Sequence, residues 1–198
     1  MLYKDESKRF GLQSFKALGG AYAVANLHKA HIEAGKPVES FVVTTCTAGN
    51  HGRSVAWGAK LVGCPAKIYI GAVVSQGRED AMKALGADVK RINGNYDEAL
   101  AACRRDAEEN GWQIVSDTSW EGYEDVPRQV MAGYTVMSRE IMDQMGQERP
   151  THIFLPIGVG GMAAAVVAPF WSEMGENRFK AISIESHMAA CFLESIKA

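Results

Sequence analysis

The sequence predicts an α/β fold in which parallel sheets carry helices on both faces. Short β-branched runs alternate with longer stretches of helical period, and glycine, asparagine or proline marks most of the junctions. Parallel neighbours need a crossover connection, which a helix usually supplies. Ligands of such sheets bind beyond the carboxyl ends of the strands, so the loops that follow strands are the first places to search for a site.

Each element follows from where its pattern begins and ends. β-branched and aromatic residues dominate the strand segments, whereas the helical segments repeat apolar residues three and four positions apart. The predicted strands are Phe41–Thr45, Ala66–Ile70, Ala87–Ile92, Gln113–Val115, His152–Leu155 and Lys180–Ile184. The predicted helices are Phe15–Ala34, His51–Val62, Gly77–Leu85, Asp97–Asn110, Pro127–Met145, Met162–Met174 and His187–Ile196.

Composition excludes several classes of protein. Of 198 residues, 47% are hydrophobic and 22% are charged, and the net charge is -2. A disordered chain would be less apolar or more unevenly charged, and a nucleic-acid-binding protein would carry a basic excess. No apolar run approaches the roughly 20 residues that span a bilayer, and the first residues, MLYKDESKRFGLQSF, are charged and polar. We therefore expect a cytoplasmic protein that binds neither nucleic acid nor membrane.

Cysteines and charge runs give no sign of a further site. Cys46, Cys64, Cys103 and Cys191 are widely spaced and form no C-x-x-C pair, so we expect reduced thiols and no metal site. The run RRDAEE at residues 104–109 mixes both signs of charge, which is typical of a solvated helix face.

Two loops between a strand and a helix are rich in small residues: Thr45–Gly52 (TCTAGNHG) and Pro156–Met162 (PIGVGGM). Glycine lets the backbone approach a ligand, and the N–H groups at a helix start favour an anion. A tight turn that packs a helix onto a sheet would explain either loop equally well.

The second loop also fits a dinucleotide fingerprint. Gly158, Gly160 and Ala163 have the required spacing, and Glu185 ends the next strand, where an acid that binds ribose would lie. Such a fingerprint normally opens the first unit of its fold, whereas about four predicted strands precede this one. NAD binding is therefore the weaker alternative.

Lys16 begins a helix in the segment SFKALGG. Most lysines are solvated surface charges, and that alternative stays open here. Among small and apolar residues, however, a lysine is more often partly buried, where its amine can act as a Schiff-base nucleophile. An amine, a loop for a carboxylate and a loop for a phosphate are together what pyridoxal phosphate needs to act on an amino acid, because its ring is the electron sink.

The chain resembles the fold-type II pyridoxal-phosphate enzymes of the tryptophan synthase β-like superfamily and, among them, the diaminopropionate ammonia-lyases. The segments that carry the resemblance are SFKALGG, TAGNHGRSVAWGAKLVG, SDTSWEGYEDVP, MAGY and PTHIFLPIGVGGMA, and it runs through nearly all of the chain. SFKALGG and TAGNHG are shared in form by threonine and serine dehydratases. DTSWEGYEDVP and the GVGGM loop with its flanks are typical of the ammonia-lyases.

This resemblance implies a role for each matching residue. Lys16 would bond to the cofactor and later take the α-proton of the substrate, and Asn50 would hydrogen-bond the cofactor's phenolic oxygen. Asp117 would be the acid or base near the departing β-amino group, although Asp-Thr-Ser is also ordinary turn chemistry. The loop around the substrate carboxylate would consist of Thr47, Ala48, Gly49 and His51. The phosphate would be wrapped by Gly158, Val159, Gly160, Gly161 and Met162.

The implied reaction is α,β-elimination of 2,3-diaminopropionate to pyruvate and ammonia. The ammonia-lyases commonly have an aspartate where this chain has Ala48, and alanine is closer to the dehydratases. A lyase acting on serine or threonine is therefore an alternative. The chain is also expected to be incomplete at both ends relative to the family, which leaves a truncated, non-catalytic homologue as a further alternative.

The resemblance also implies two lobes and a partner. Residues 1–47 would belong to the large lobe, residues 48–130 to a small mobile lobe that closes over the substrate, and residues 131–198 to the truncated remainder of the large lobe. The expected partners are a small amino-acid substrate and a second chain, either in a homodimer or as a chain that supplies the missing region.

Overall fold

The computed structural model describes all of residues 1–198 and confirms the alternation of helices and strands. The helices are α1 (Lys16–Glu33), α2 (Asn50–Val62), α3 (Gln76–Lys83), α4 (Tyr96–Asn110), α5 (Asp125–Met145), α6 (Gly161–Met174) and α7 (Cys191–Lys197). The strands are β1 (Val43–Cys46), β2 (Ala66–Ile70), β3 (Asp88–Arg91), β4 (Gln113–Ile114), β5 (His152–Pro156) and β6 (Lys180–Ile184). No helix is long and apolar enough to cross a membrane.

Strands β1 to β4 form a four-stranded parallel sheet in the order β3-β2-β1-β4. Val43 and Thr44 of β1 are paired on both sides; Val43, for example, lies opposite Ala66 of β2 on one side and opposite Gln113 of β4 on the other. Every residue of β1 is buried, as expected for a central strand covered on both faces. The loops after β1 and β4 therefore leave the same edge of the sheet side by side.

Strands β5 and β6 pair only with each other, in parallel, from His152 opposite Lys180 to Pro156 opposite Ile184. Most of their residues are exposed or half-buried, and Leu155 is the one buried member. The prediction of parallel sheets is thus confirmed, with two separate sheets.

Small residues let α1 lie very close to α2 and α5. A methyl group added at Gly58 of α2 would lie 2.7 Å from the Cα of Ala21 in α1. One added at Gly133 of α5 would clash with the carbonyl oxygen of Leu18. These contacts fix the helix that begins at Lys16 against both of its neighbours.

The predicted bounds of β2 and β6 are confirmed, whereas the predicted start of the last helix, His187, lies four residues before the observed one. Residues 187–190 form a turn, and α7 begins at Cys191. The reason is Glu185, whose carboxylate accepts hydrogen bonds from the N–H groups of Phe192 and Leu193 at 2.8 and 2.9 Å. An acceptor just upstream of a helix satisfies its free N–H groups and so sets where the helix begins.

Candidate active site

The loops after β1 and β4 define the candidate site. The chain passes from β1 through α2 to β2, whereas β4 returns to the opposite side of β1. A crevice is expected where strand order reverses in this way. The β1 loop carries Thr47 to His51, and the β4 loop carries Asp117.

Lys16 and Asp117 form an ion pair beside the loop that follows β4. Lys16 Nζ lies 2.6 Å from Asp117 Oδ2, and the two side chains are only 24% and 22% exposed. Burial acts to raise the pKa of Asp117, but the Lys16 ammonium, which also donates a hydrogen bond to the carboxylate, lowers that pKa. The lysine found in the sequence as a candidate nucleophile thus lies beside the candidate acid.

Two aromatic rings flank the Lys16 ammonium. Its nitrogen lies 5.5 Å from the ring centre of Phe15 and 5.7 Å from that of Tyr134. Aromatic faces at this distance attract a cation. Tyr134 is buried and its hydroxyl has no hydrogen-bond partner; burial and the charge of Asp117 raise its pKa. The site therefore holds one cation between an acid and two rings.

The loop that carries Asp117 is held by Tyr123. The phenolic hydroxyl accepts a hydrogen bond from Ser116 N–H and donates one to the Ile114 carbonyl oxygen, both at 2.9 Å. Trp120 stacks on Tyr123 with ring centres 3.9 Å apart, and the guanidinium of Arg104 lies 4.1 Å from the centre of the Trp120 ring. Arg104 is exposed, as expected for a solvated helix face, and it also links α4 to this loop.

His51 holds the same strand end from the other side. Its ring is 4% exposed, and Nε2 lies 2.9 Å from the Val115 carbonyl oxygen. Nδ1 lies 3.8 Å from Asp117 Oδ2 and has no hydrogen-bond partner. Burial lowers the pKa of His51. Nothing in the local sequence indicates this contact, because Val115 is 64 positions away.

The rest of the β1 loop presents backbone and amide groups. Thr47, Ala48 and Gly49 are half-buried, and Asn50 is exposed as the first residue of α2. No side chain caps this helix, so its first N–H groups are available to an anion. The loop is therefore suited to a carboxylate, with the Asn50 amide beside it.

The loop after β5 has the same character. Gly160 precedes α6 with φ of 88°, a conformation that favours glycine, and no side chain caps the helix. Gly158 and Val159 are exposed, and Gly161 and Met162 begin the helix half-buried. The structure joins this loop to the lysine helix through α5, which packs on α1 at Gly133 and approaches Gly161 through Met131.

Glu185 weighs against the dinucleotide alternative. Its carboxylate is engaged by the backbone of α7, where a dinucleotide would need it on the ribose. Pyridoxal phosphate makes different demands, namely an amine for its aldehyde, a donor for its phenolic oxygen and N–H groups for its phosphate. The chain offers these as Lys16, the unpaired Asn50 amide and the uncapped start of α6, so the residues present fit that group.

Comparison with known proteins agrees with this donor set. The family model described as "Pyridoxal-phosphate dependent enzyme" matches residues 1–198. Diaminopropionate ammonia-lyase of Escherichia coli (strain K12) is 38% identical over 98% of this chain and 52% of its own length. A solved holo structure of the E. coli enzyme superposes with a TM-score of 0.90 at 37% identity, covering 98% of this chain and 53% of that one.

Dehydratases are more distant relatives. A threonine dehydratase of Solanum lycopersicum is 30% identical over 92% of this chain and 28% of its own length. The chain spans about half the length of the ammonia-lyases that it matches. Because the family model matches the whole of the sequence, this chain belongs to the pyridoxal-phosphate-dependent enzymes.

Proposed function

We propose that this chain carries the catalytic residues for α,β-elimination of 2,3-diaminopropionate to pyruvate and ammonia. The observation that carries the proposal is the 2.6 Å contact between Lys16 Nζ and Asp117 Oδ2. A base for the α-proton and an acid for the leaving group must both reach one small substrate, and this contact brings such a pair together. The likeness to the ammonia-lyases supports the same choice.

Each residue has a defined task in this proposal. Pyridoxal phosphate, when bound, supplies the electron sink for the charge left as the α-proton departs. Lys16 supplies the amine that bonds to the cofactor and, once free and neutral, accepts the α-proton. Asp117, which is ionised because its pKa is lowered, holds the β-amino group in its protonated form, which must leave as ammonia. The starts of α2 and α6 bind the substrate carboxylate and the cofactor phosphate, with Asn50 on the phenolic oxygen.

Covalent trapping tests the role of Lys16. Purified protein given pyridoxal phosphate and then borohydride should carry the cofactor on the peptide that contains Lys16. Lys16→Ala should abolish both this adduct and pyruvate release. Lys29→Ala is the matched control, because Lys29 lies on the same helix with a side chain that is 74% exposed. An adduct that forms on another lysine, or none at all, would overturn the proposal.

Replacing the acid should separate chemistry from cofactor binding. Asp117→Asn keeps the size of the side chain but removes the charge that faces Lys16. We expect the adduct to form and pyruvate release to fall by about 10²- to 10⁴-fold, the usual range for loss of a general acid or base. Unchanged pyruvate release would remove Asp117 from the mechanism.

Serine or threonine is the second candidate substrate, favoured by Ala48 in the carboxylate loop and by the threonine dehydratase relatives. Pyruvate or 2-oxobutyrate release from L- and D-diaminopropionate, L-serine and L-threonine would decide between the two. Faster turnover of the hydroxy amino acids would favour the dehydratase reaction. No turnover of any of them, with the adduct intact, would favour a non-catalytic homologue.

We also propose that the protein forms a homodimer. Phe154 of β5 and Ile184 of β6 are 58% and 51% exposed, and exposed apolar side chains on adjacent strands favour a contact between chains. Light scattering should give twice the mass of one chain, and Phe154→Ser should shift it toward the monomer. A wild-type protein of single-chain mass would contradict this.

A further proposal concerns the extent of the small lobe. We propose that the four-stranded sheet with its helices is the small, mobile lobe; because β1 belongs to that sheet, its boundary would lie before Val43 rather than after residue 47. Substrate should then slow amide exchange in the loops after β1 and β4.

We also propose a cytoplasmic location, because four free cysteines favour a reducing compartment. Cell fractionation would test it.

A further inference from the structure

The unpartnered nitrogen of His51 is the feature that the proposed roles leave unused. A backbone carbonyl can only accept a hydrogen bond, so the ring nitrogen that contacts Val115 O, Nε2, must carry the hydrogen. In the neutral ring Nδ1 then has only its lone pair. Burial of the ring favours this neutral form. A buried acceptor without a donor costs free energy, which suggests a donor that arrives with a ligand.

That lone pair lies next to a second acceptor. Asp117 Oδ2 is 3.8 Å from Nδ1, and at present its donor is the Lys16 ammonium, 2.6 Å away. Lys16 contacts the carboxylate oxygen and not the His51 nitrogen, so it satisfies half of the pair. The charged groups that face the ring are Asp117 and Lys16, and the ring of Tyr134 from α5 lies beside the lysine.

An ammonium group matches this pair of acceptors. Its three N–H donors can reach two acceptors less than 4 Å apart with hydrogen bonds of ordinary length, about 2.8 Å each. A hydroxyl has a single donor and would leave one of the two acceptors unpaired.

We propose that His51 Nδ1 and Asp117 Oδ2 form one subsite for an ammonium group, and that it receives the β-ammonium of the substrate once the Lys16 amine has turned away from Asp117 toward the α-carbon. This inference rests on the proposed function. Both acceptors favour the protonated amine, the form that leaves as ammonia. The C–N bond breaks with its electron pair going to nitrogen, the α C–H pair forms the C=C bond, and Lys16 holds the α-proton.

Two substitutions separate the role of the Nδ1 lone pair from that of the hydrogen bond between Nε2 and Val115 O. In His51→Gln the side-chain amide can still donate to Val115 O, but no acceptor remains at the position of Nδ1. We expect kcat/KM for diaminopropionate to fall at least tenfold further than kcat/KM for serine, because only the ammonium group needs the second acceptor. His51→Asn, which can place an amide oxygen near the position of Nδ1, should recover part of the loss. Equal losses for both substrates, or no loss, would overturn the subsite.

A measurement without turnover tests the same point. Nitrogen NMR of histidine-labelled protein at neutral pH should show Nε2 protonated and Nδ1 bare. Adding L-2,3-diaminopropionate to the Lys16→Ala protein with cofactor should shift the Nδ1 resonance, and L-serine should not. A proton on Nδ1 before ligand is added would overturn the inference. If wild-type protein forms the Lys16 adduct and releases pyruvate while these tests fail, the proposed function stands and only the subsite is lost.

Discussion

The two sheets of this molecule differ in how deeply their residues are buried, although the strands of both were predicted from the sequence. All four residues of β1 are buried, and four of the five in β2 are. In β5 one residue of five is buried, and in β6 none is. Short apolar runs such as AKIYI and KAISI predict a strand in both places. The difference teaches that sequence pattern sets the strand, whereas the number of covering elements sets how much a side chain on it stabilises.

The largest expected effect comes from matched isoleucines of the two sheets. Ile68 of β2 is fully buried, whereas Ile184 of β6 is 51% exposed. We expect Ile68→Ala to lower the free energy of unfolding by about 3 kcal/mol, through lost burial and an unfilled cavity. Ile184→Ala should lower it by less than about 1 kcal/mol. Urea titrations followed by circular dichroism would measure both, and equal losses would refute the comparison.

Two glycines should also differ in how much an alanine substitution lowers the free energy of unfolding. A methyl group at Gly133 would meet the backbone of α1, which cannot move aside, whereas one at Gly158 would meet nothing within 4 Å. Gly133→Ala should therefore cost about 1 to 3 kcal/mol of unfolding free energy. Gly158→Ala should leave stability unchanged and weaken binding of pyridoxal phosphate, measured by absorbance titration. A stable Gly133→Ala protein would mean that α1 and α5 can separate.

Between about pH 5 and 7, the change in the free energy of unfolding with pH should come from the His51 ring. The pKa of His51 is lowered on folding, so below the unfolded value of about 6.5 the unfolded chain binds a proton that the folded chain does not. Stability should therefore fall as the pH drops from about 6.5, by at most about 1.4 kcal/mol per pH unit for one proton. His51→Gln should flatten this slope in urea titrations at several pH values. A slope that survives the substitution would assign it elsewhere.

The smallest effect is expected at the exposed contact between Arg104 and Trp120. Arg104→Ala should cost about 0.5 to 1 kcal/mol, the usual worth of a cation on an aromatic face at the surface. Arg104→Lys keeps the charge but loses the planar group and should lie in between. Tryptophan fluorescence would report the change at Trp120 itself. If neither substitution altered the fluorescence or the free energy of unfolding, the contact between α4 and the Asp117 loop would not stabilise the protein.

The sequence predicted the elements more fully than the contacts between them. Local patterns were sufficient for β2 and β6 because turn residues bound both runs. The start of α7 was missed because it depends on the Glu185 carboxylate, whose role as a helix cap the pattern does not reveal. The family resemblance marked Lys16 and Asp117 separately, and the structure brings them together. The His51 contact and the Arg104 stack were missed because each needs a partner that is distant in sequence.

The pairing of β1 with β4 has a consequence for how this protein acquires its site. Val43 lies only 23 positions before its β2 partner Ala66, whereas its partner on the other side, Gln113, lies 70 positions further along the chain. Closing so long a loop costs entropy before any contact repays it, and non-local pairings slow folding. We therefore expect the ion pair of Lys16 and Asp117 to form late in refolding, after the helices and the β1-β2-β3 ladder. Competence to bind a ligand would then appear in the slowest kinetic phase.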